Sequence, residues 1–340
     1  MREFLRGPAV YFFVCFLFFS LSSSAENGLA VDIVDVGAGS CTIVTLPHKN
    51  GILLFDAGNW RGKHCYSAVK RAVSNSNANI KLMVVYHSDA DHLGDAASIL
   101  KDFEVSNLVR TGFISSSKSW EKFDAAAMEA ESRGTLIFSA ARQQIAGAQF
   151  LFGDVAIRIL YGKSKWDGAP LSSSEARNAI SVVAKLEYAG RSILIPGDTV
   201  GRDIGGASDQ CAYAEGEMVL NAKKLPLASD IIIAPHHGSD SSSSSCFIEE
   251  VSPQYVIFQA GHKHGHPTIR AKDRYLASGV KLHNIFRTDR GDSESSPFDW
   301  ESDVKSFCND KAGDDAIHIA INANGEIAIN YNNPEPSSCS

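Results

Sequence analysis

Beyond its first 25 residues, this 340-residue chain has no segment apolar enough to cross a bilayer, because a spanning helix needs about 20 consecutive apolar residues. It lacks an internal repeat, a Pro/Gly-rich linker and any Cys-x-x-Cys pair. A repeat solenoid, a string of tethered modules and a zinc-ribbon thiolate site are thereby excluded. Excess positive charge is missing too. The net charge is −7, from 32 basic and 39 acidic side chains, whereas a protein built to hold long nucleic acid displays a basic face. Lys263, Arg270, Lys272, Arg274, Arg287 and Arg290 could form no more than a local basic patch.

What is present begins with a targeting-type segment. Arg2 and Arg6 precede an apolar stretch from Ala9 to Leu21, and Ser23-Ser24-Ala25 offers a small-residue cleavage site. The expectation is a signal peptide over 1–25 and a secreted chain, extracellular or periplasmic, with no integral membrane partner. Of the seven cysteines, Cys15 lies in that segment and six remain: Cys41, Cys65, Cys211, Cys246, Cys308 and Cys339. An even count in a secreted chain points to disulfides, and the spacing does not choose among the pairings. The rest of the chain reads as one unit over 26–331, with residues 292–313 as an acidic, serine-rich surface insertion and 332–340 as a loose polar tail.

The densest chemistry lies in Tyr86-His87-Ser88-Asp89-Ala90-Asp91-His92-Leu93-Gly94. Imidazole nitrogen and carboxylate oxygen suit zinc and similar divalent ions. The segment Ile80 to Tyr86 reads as a strand, and Leu93 onward reads as the start of a helix. The four polar residues thus occupy a loop at the carboxyl end of a strand, where α/β folds hold their chemistry. A polar turn whose aspartates, Asp91 or Asp95, cap the next helix would leave both histidines unexplained. Further apolar runs end at Asp56, at Gly197-Asp198 and at His236-His237. Adjacent side chains of an extended segment point in opposite directions, so one of His236 and His237 is expected to face a metal, and His237 is assigned that place.

In their order these motifs resemble the metallo-β-lactamase superfamily, whose hallmark is His-x-His-x-Asp-His after a strand. Asp89 replaces the second histidine, as in the ComEC-like hydrolase domains. Val34-Asp35-Val36-Gly37-Ala38-Gly39-Ser40, Leu53-Leu54-Phe55-Asp56-Ala57-Gly58, Leu194-Ile195-Pro196-Gly197-Asp198, Pro235-His236-His237-Gly238-Ser239, Gly265-His266-Pro267 and Arg287-Thr288-Asp289-Arg290 continue the likeness over about residues 29–331. Ser40 departs from it, standing where the group usually carries aspartate.

The resemblance implies an αββα sandwich, two mixed sheets with flanking helices, and a hydrolase. It implies a divalent metal cofactor, two zinc ions with manganese as a rival, held by His87, Asp89, Asp91, His92, Asp198 and His237. Asp91 would also orient the attacking water, and Asp56 would position a ligand rather than be one. Asn178 falls near the place of a histidine ligand in many relatives and could face metal or substrate. His236 could orient a neighbour, and His266 could protonate a leaving group or touch an anionic substrate. The implied substrate is a small molecule or a phosphodiester. Nucleic acid is allowed but unsupported by net charge, and an amide, ester or lactone would suit the same chemistry. A non-catalytic extracellular metal-containing protein is the reading from another class. A Cys211–Cys246 bridge would brace the loop after Asp198 against the His237 loop, and Cys308–Cys339 would pin the insertion to the tail.

Overall fold

Short apolar runs bounded by glycine, serine or asparagine become strands in the computed structural model, which describes residues 28–58, 62–261, 264–288, 290, 313 and 315–333. The first half runs β1 (Leu29–Ile33), β2 (Thr42–Thr45), β3 (Ile52–Phe55), α1 (His64–Ser76), β4 (Ile80–Val85), α2 (Ala90–Leu93) and α3 (Ala96–Asp102). It ends with β5 (Asn107–Arg110), α4 (Lys118–Ser132) and β6 (Leu136–Ser139). The second half runs β7 (Gln149–Phe152), β8 (Val155–Tyr161), α5 (Ser173–Ala179), β9 (Val183–Tyr188), β10 (Arg191–Ile195) and α6 (Tyr213–Leu220). Then come β11 (Ile231–Ile233), α7 (Ser245–Val251), β12 (Tyr255–Phe258), α8 (Ile269–Ala277) and β13 (Ile285–Arg287), followed by a closing pair, β14 (Ile317–Ile321) and β15 (Ile327–Tyr331).

Two mixed sheets result. One has eight strands in the order β15-β14-β1-β2-β3-β4-β5-β6, and the other has seven in the order β13-β12-β11-β10-β9-β8-β7. Pairing is parallel from β3 to β6 and from β10 to β13. The closing pair returns to the first sheet, with Val31 opposite Ile319.

Alternation along the strands builds the layers. Leu53, Phe55, Leu82 and Val84 of one sheet meet Ile193, Ile195, Ile231 and Ile233 of the other in a shared core. The intervening residues face outward. Ile52, Leu54, Met83 and Val85 pack with Val69, Ile99, Trp120 and Phe123 of the helices over the first sheet. Leu194, Ile232 and Val256 pack with Met218, Phe247 and Tyr275 over the second. Helices therefore flank two packed sheets, as the αββα expectation holds.

Element ends differ from the sequence expectations for local reasons. Tyr86 leaves the ladder of β4 because its carbonyl accepts from Val182 N–H at 3.1 Å, across to the second sheet. The helical turn expected from Leu93 already begins at Ala90, as His92 and Leu93 both donate to Asp89 O. Helix α4 starts at Lys118, because Ser117 caps it by accepting from Trp120 N–H at 3.2 Å. The signal segment 1–25, residues 292–312 of the insertion, 334–340 of the tail, and Cys308 and Cys339 lie outside the described residues. Among the described residues no helix is long and apolar enough to cross a membrane.

Candidate metal centre

Parallel strands of both sheets deliver their carboxyl ends to one place. β3 leads into Asp56, β4 into His87, β10 into Asp198, β11 into His236-His237 and β12 into Gln259. Backbone hydrogen bonds stitch these ends together. Asp56 N–H donates to Val84 O at 2.8 Å, Ala57 N–H to His92 O at 3.0 Å, and His236 N–H to Gly197 O at 3.0 Å. Gly197 has φ of +58°, and a Cβ there would lie 2.9 Å from Tyr86, so glycine lets the two loops meet.

Asp91, His92, Asp198 and His237 each present a donor atom, all within 4.8 Å of one another. Asp198 Oδ2 is central: His92 Nε2 lies at 3.1 Å, His87 Nε2 at 3.2 Å and His237 Nε2 at 3.5 Å. His87 Nε2 and His237 Nε2 are buried without a hydrogen-bond partner. Two orphaned nitrogens aimed at buried carboxylates are costly unless a cation joins them. The residues therefore fit a divalent ion.

Electrostatics agree with that geometry. Burial opposes charge on His92, yet Asp198, Asp56 and Asp91 together hold it well above the usual histidine range. Burial also opposes charge on Asp198, but His92, His237 and His87 pull it well below the ordinary carboxylate range. Asp91 is lowered in the same way, with His92 and His237 outweighing its burial.

Supporting groups fix the rings. Asp56 is fully buried; one oxygen accepts from Tyr86 N–H at 2.9 Å, and the other is paired with His92 Nδ1. His237 Nδ1 donates to Gln259 O at 2.7 Å. Both arrangements turn Nε2 toward Asp198, the orientation of a ligating histidine whose other nitrogen is engaged. Neither Asp91 nor Asp95 caps the helix that follows it; Asp95 Oδ2 instead accepts from Tyr66 N–H, in the first turn of α1, at 2.9 Å.

The expected opposition of His236 and His237 has a different cause. Neither is extended: both are left-handed, with φ of +51° and +53°. His237 nonetheless joins the donors, while His236 turns to Asn178, whose Nδ2 donates to its Nε2 at 3.0 Å, and to Ser241 Oγ at 3.1 Å. Burial pushes His236 down to about 4. His266 is packed 5.7 Å from the His236 ring, and burial pushes it down to about 3. It therefore stands neutral at pH 7, able to donate a hydrogen bond but not to store an extra proton.

Asp89 is not among the four donors. Its carboxylate meets the Arg177 fork, with Nε at 2.8 Å and Nη2 at 3.3 Å. Sequence reading missed Arg177, which lies 88 residues away on α5, and also Gln259 and Ser181, whose Oγ accepts from Asp198 N–H at 3.1 Å. Nothing in their local sequence marks them; only the strand order brings them here. The expected basic patch is partly neutralised and partly internal: exposed Arg270 and half-buried Arg274 close on Asp240 at 3.1 and 2.8 Å, Arg287 is buried, and Lys263 lies outside the described residues.

Comparison with known proteins shows what the chain is similar to. The model of the metallo-beta-lactamase superfamily matches residues 34–262. The chain is 28% identical over 295 residues to ComE operon protein 3 of Bacillus subtilis (strain 168), covering 82% of this chain and 34% of that protein. It is 26% identical over 298 residues to competence protein ComA of Neisseria gonorrhoeae, covering 84% and 34%. The chain thus spans about a third of the length of these curated relatives. A solved structure, zinc-bound PqqB from Methylobacterium extorquens, aligns at 9% identity with a TM-score of 0.44, covering 77% of this chain and 97% of that one.

Proposed function

This chain belongs to the metallo-beta-lactamase superfamily, and from that premise we propose that it is a metal-dependent hydrolase of phosphodiester bonds that works outside the cytoplasm. The observation that carries the reading is the convergence of Asp91, His92, Asp198 and His237, with the buried Nε2 of His237 left without a hydrogen-bond partner. When bound, a divalent ion brings the pKa of its water from 15.7 to about 7 and polarises a phosphoryl or carbonyl oxygen. Zinc suits the imidazoles; the carboxylates keep manganese a competitor.

The residues divide the work. His92 and His237 would hold the ion through Nε2, oriented by Asp56 and Gln259 O, with Asp198 and Asp91 supplying carboxylate oxygens. Asp91, the most exposed of the four with 23% of its side chain accessible, would also orient the attacking water. His266 offers a neutral N–H to an anionic substrate oxygen. A phosphodiester is favoured over an amide, ester or lactone by the carboxylate-rich donor set without thiolate and by the ComEC-like aspartate at position 89. The net charge of −7 favours a small or short phosphodiester over long duplex DNA. Two disulfides support an oxidising compartment.

The test is a substrate panel of phosphodiesters, single- and double-stranded DNA, esters and lactones, offered to zinc- or manganese-loaded protein. Phosphodiester turnover that vanishes in Asp91→Ala is expected. No turnover, or turnover indifferent to Asp91→Ala, would overturn the reading.

A further inference from the structure

We infer that the two metal positions of this centre are unequal: one ion is held tightly by Asp91, His92, Asp198 and His237, while the position at His87 is weak because Arg177 holds Asp89 away from it. The inference rests on the hydrolase reading for the presence of metal and goes beyond it in assigning Arg177 a role.

The observation that carries it is the fork. Arg177 binds both oxygens of Asp89, while its remaining nitrogen, Nη1, donates to Ser173 O at 3.0 Å, one turn back on α5. A bidentate guanidinium–carboxylate pair is among the stronger charge-assisted arrangements. An ion at the His87 position must break this pair to recruit Asp89.

The other groups near His87 add little. Asn178, the remaining candidate for this position, directs its amide N–H₂ at His236. With Asp89 engaged by Arg177, the His87 position has one imidazole and a share of Asp198, against the four donors at its neighbour.

Stepwise zinc titration of the metal-free full chain against a competing chelator, with elemental analysis after gel filtration, tests this directly. Wild type should retain about one zinc ion per chain, with a second binding event weaker by roughly 10–100-fold, the range over which partners of ligands tune affinity. Arg177→Gln should tighten the second event by about tenfold or more and leave the first unchanged. Arg177→Lys, which keeps the charge but loses the fork, should fall between them and serves if the glutamine variant does not fold. Asp89→Ala should leave the first event unchanged. Two equal events in wild type, or a second event indifferent to Arg177→Gln and Arg177→Lys, would overturn the inference while leaving phosphodiester hydrolysis intact. A wild type that takes up no ion would overturn both.

Discussion

Asp56 shows how much of the centre depends on a residue that touches no substrate. Its two oxygens do separate jobs, one fixing the end of β4 through Tyr86 N–H and the other setting the His92 tautomer. Its own carboxyl is raised, with burial outweighing the help of His92, so the residue is retained at an electrostatic cost. Asp56→Ala should weaken zinc binding by about 10–100-fold, measured by chelator competition, with a smaller loss in Asp56→Asn, which can still accept from Tyr86 N–H. Affinity unchanged in both would remove Asp56 from the centre. Glu215 carries a second residue-level prediction. It is fully buried on α6 and accepts from Ser243 N–H, Ser244 N–H and Ser244 Oγ at 2.7, 2.7 and 2.5 Å. Burial nevertheless raises it from 4.5 to about 7. A raised acid keeps in the folded state a proton that the unfolded chain has released. Its contribution is therefore fully present below about pH 4.5 and is lost as pH rises to about 7, a fall of roughly 3 kcal/mol. Glu215→Gln carries no such proton. Denaturant midpoints at pH 5 and 8 should show wild type losing stability relative to Glu215→Gln, and parallel slopes would sink the claim.

At the scale of elements, the centre is a set of loops that follow parallel strands and are held by close backbone approaches. Gly58 N–H donates to Ser40 O at 2.7 Å and Ser40 N–H donates to Asp91 O at 3.0 Å, so the segments after β3 and before β2 clamp the turn carrying Asp91. A Cβ at Gly58 would fall 1.8 Å from Asp91 O and 2.7 Å from Ser40 N. Both are backbone atoms that cannot swing aside. Gly58→Ala should cost about 1–3 kcal/mol and displace Asp91, seen as a lower melting temperature together with weaker zinc binding. A melting loss alone would mean that the clamp does not reach the metal. The elements themselves were largely legible in sequence. Ile231–Ile233 and the strand ending at Asp198 announce themselves as apolar runs, and the His87–His92 cluster sits after its strand as its spacing implied. The left-handed pair His236-His237 was not legible, because it is imposed by His236 N–H bonding to Gly197 O on another strand. The pairing of Asp89 with Arg177 was not legible either, because Arg177 is distant in sequence and carries no motif.

For the molecule as a whole, the decisive fact is that neither sheet holds a complete centre. Asp91 and His92 come from the first sheet, Asp198 and His237 from the second. Each half has its own bridge. Cys41–Cys65, with Cα atoms 5.8 Å apart, joins the segment whose Ser40 N–H holds Asp91 O to α1, whose Tyr66 N–H binds Asp95. Cys211–Cys246, with Cα atoms 5.9 Å apart, ties the loop after Asp198 to α7, just past the His237 loop. Between those loops, Gly201 and Arg202 N–H both donate to Ser241 O. This second bridge is the one expected from the sequence, whereas the first has no motif to announce it. With closed segments of 24 and 35 residues, restriction of the unfolded chain amounts to about 3–4 kcal/mol for each bridge, or on the order of 10 °C in melting temperature for a chain of this size. Entropy of the unfolded chain alone would leave the metal-dependent part of stability unchanged. Bracing of a shared centre predicts more. The paired variants Cys41→Ser with Cys65→Ser and Cys211→Ser with Cys246→Ser should each lower the melting temperature and also shrink the gain on adding zinc. That second effect should be seen with either bridge removed, because loosening one half withdraws two of the four donors from the other. If scanning calorimetry with and without zinc finds the gain undiminished in both paired variants, the bridges stabilise the fold without holding the centre.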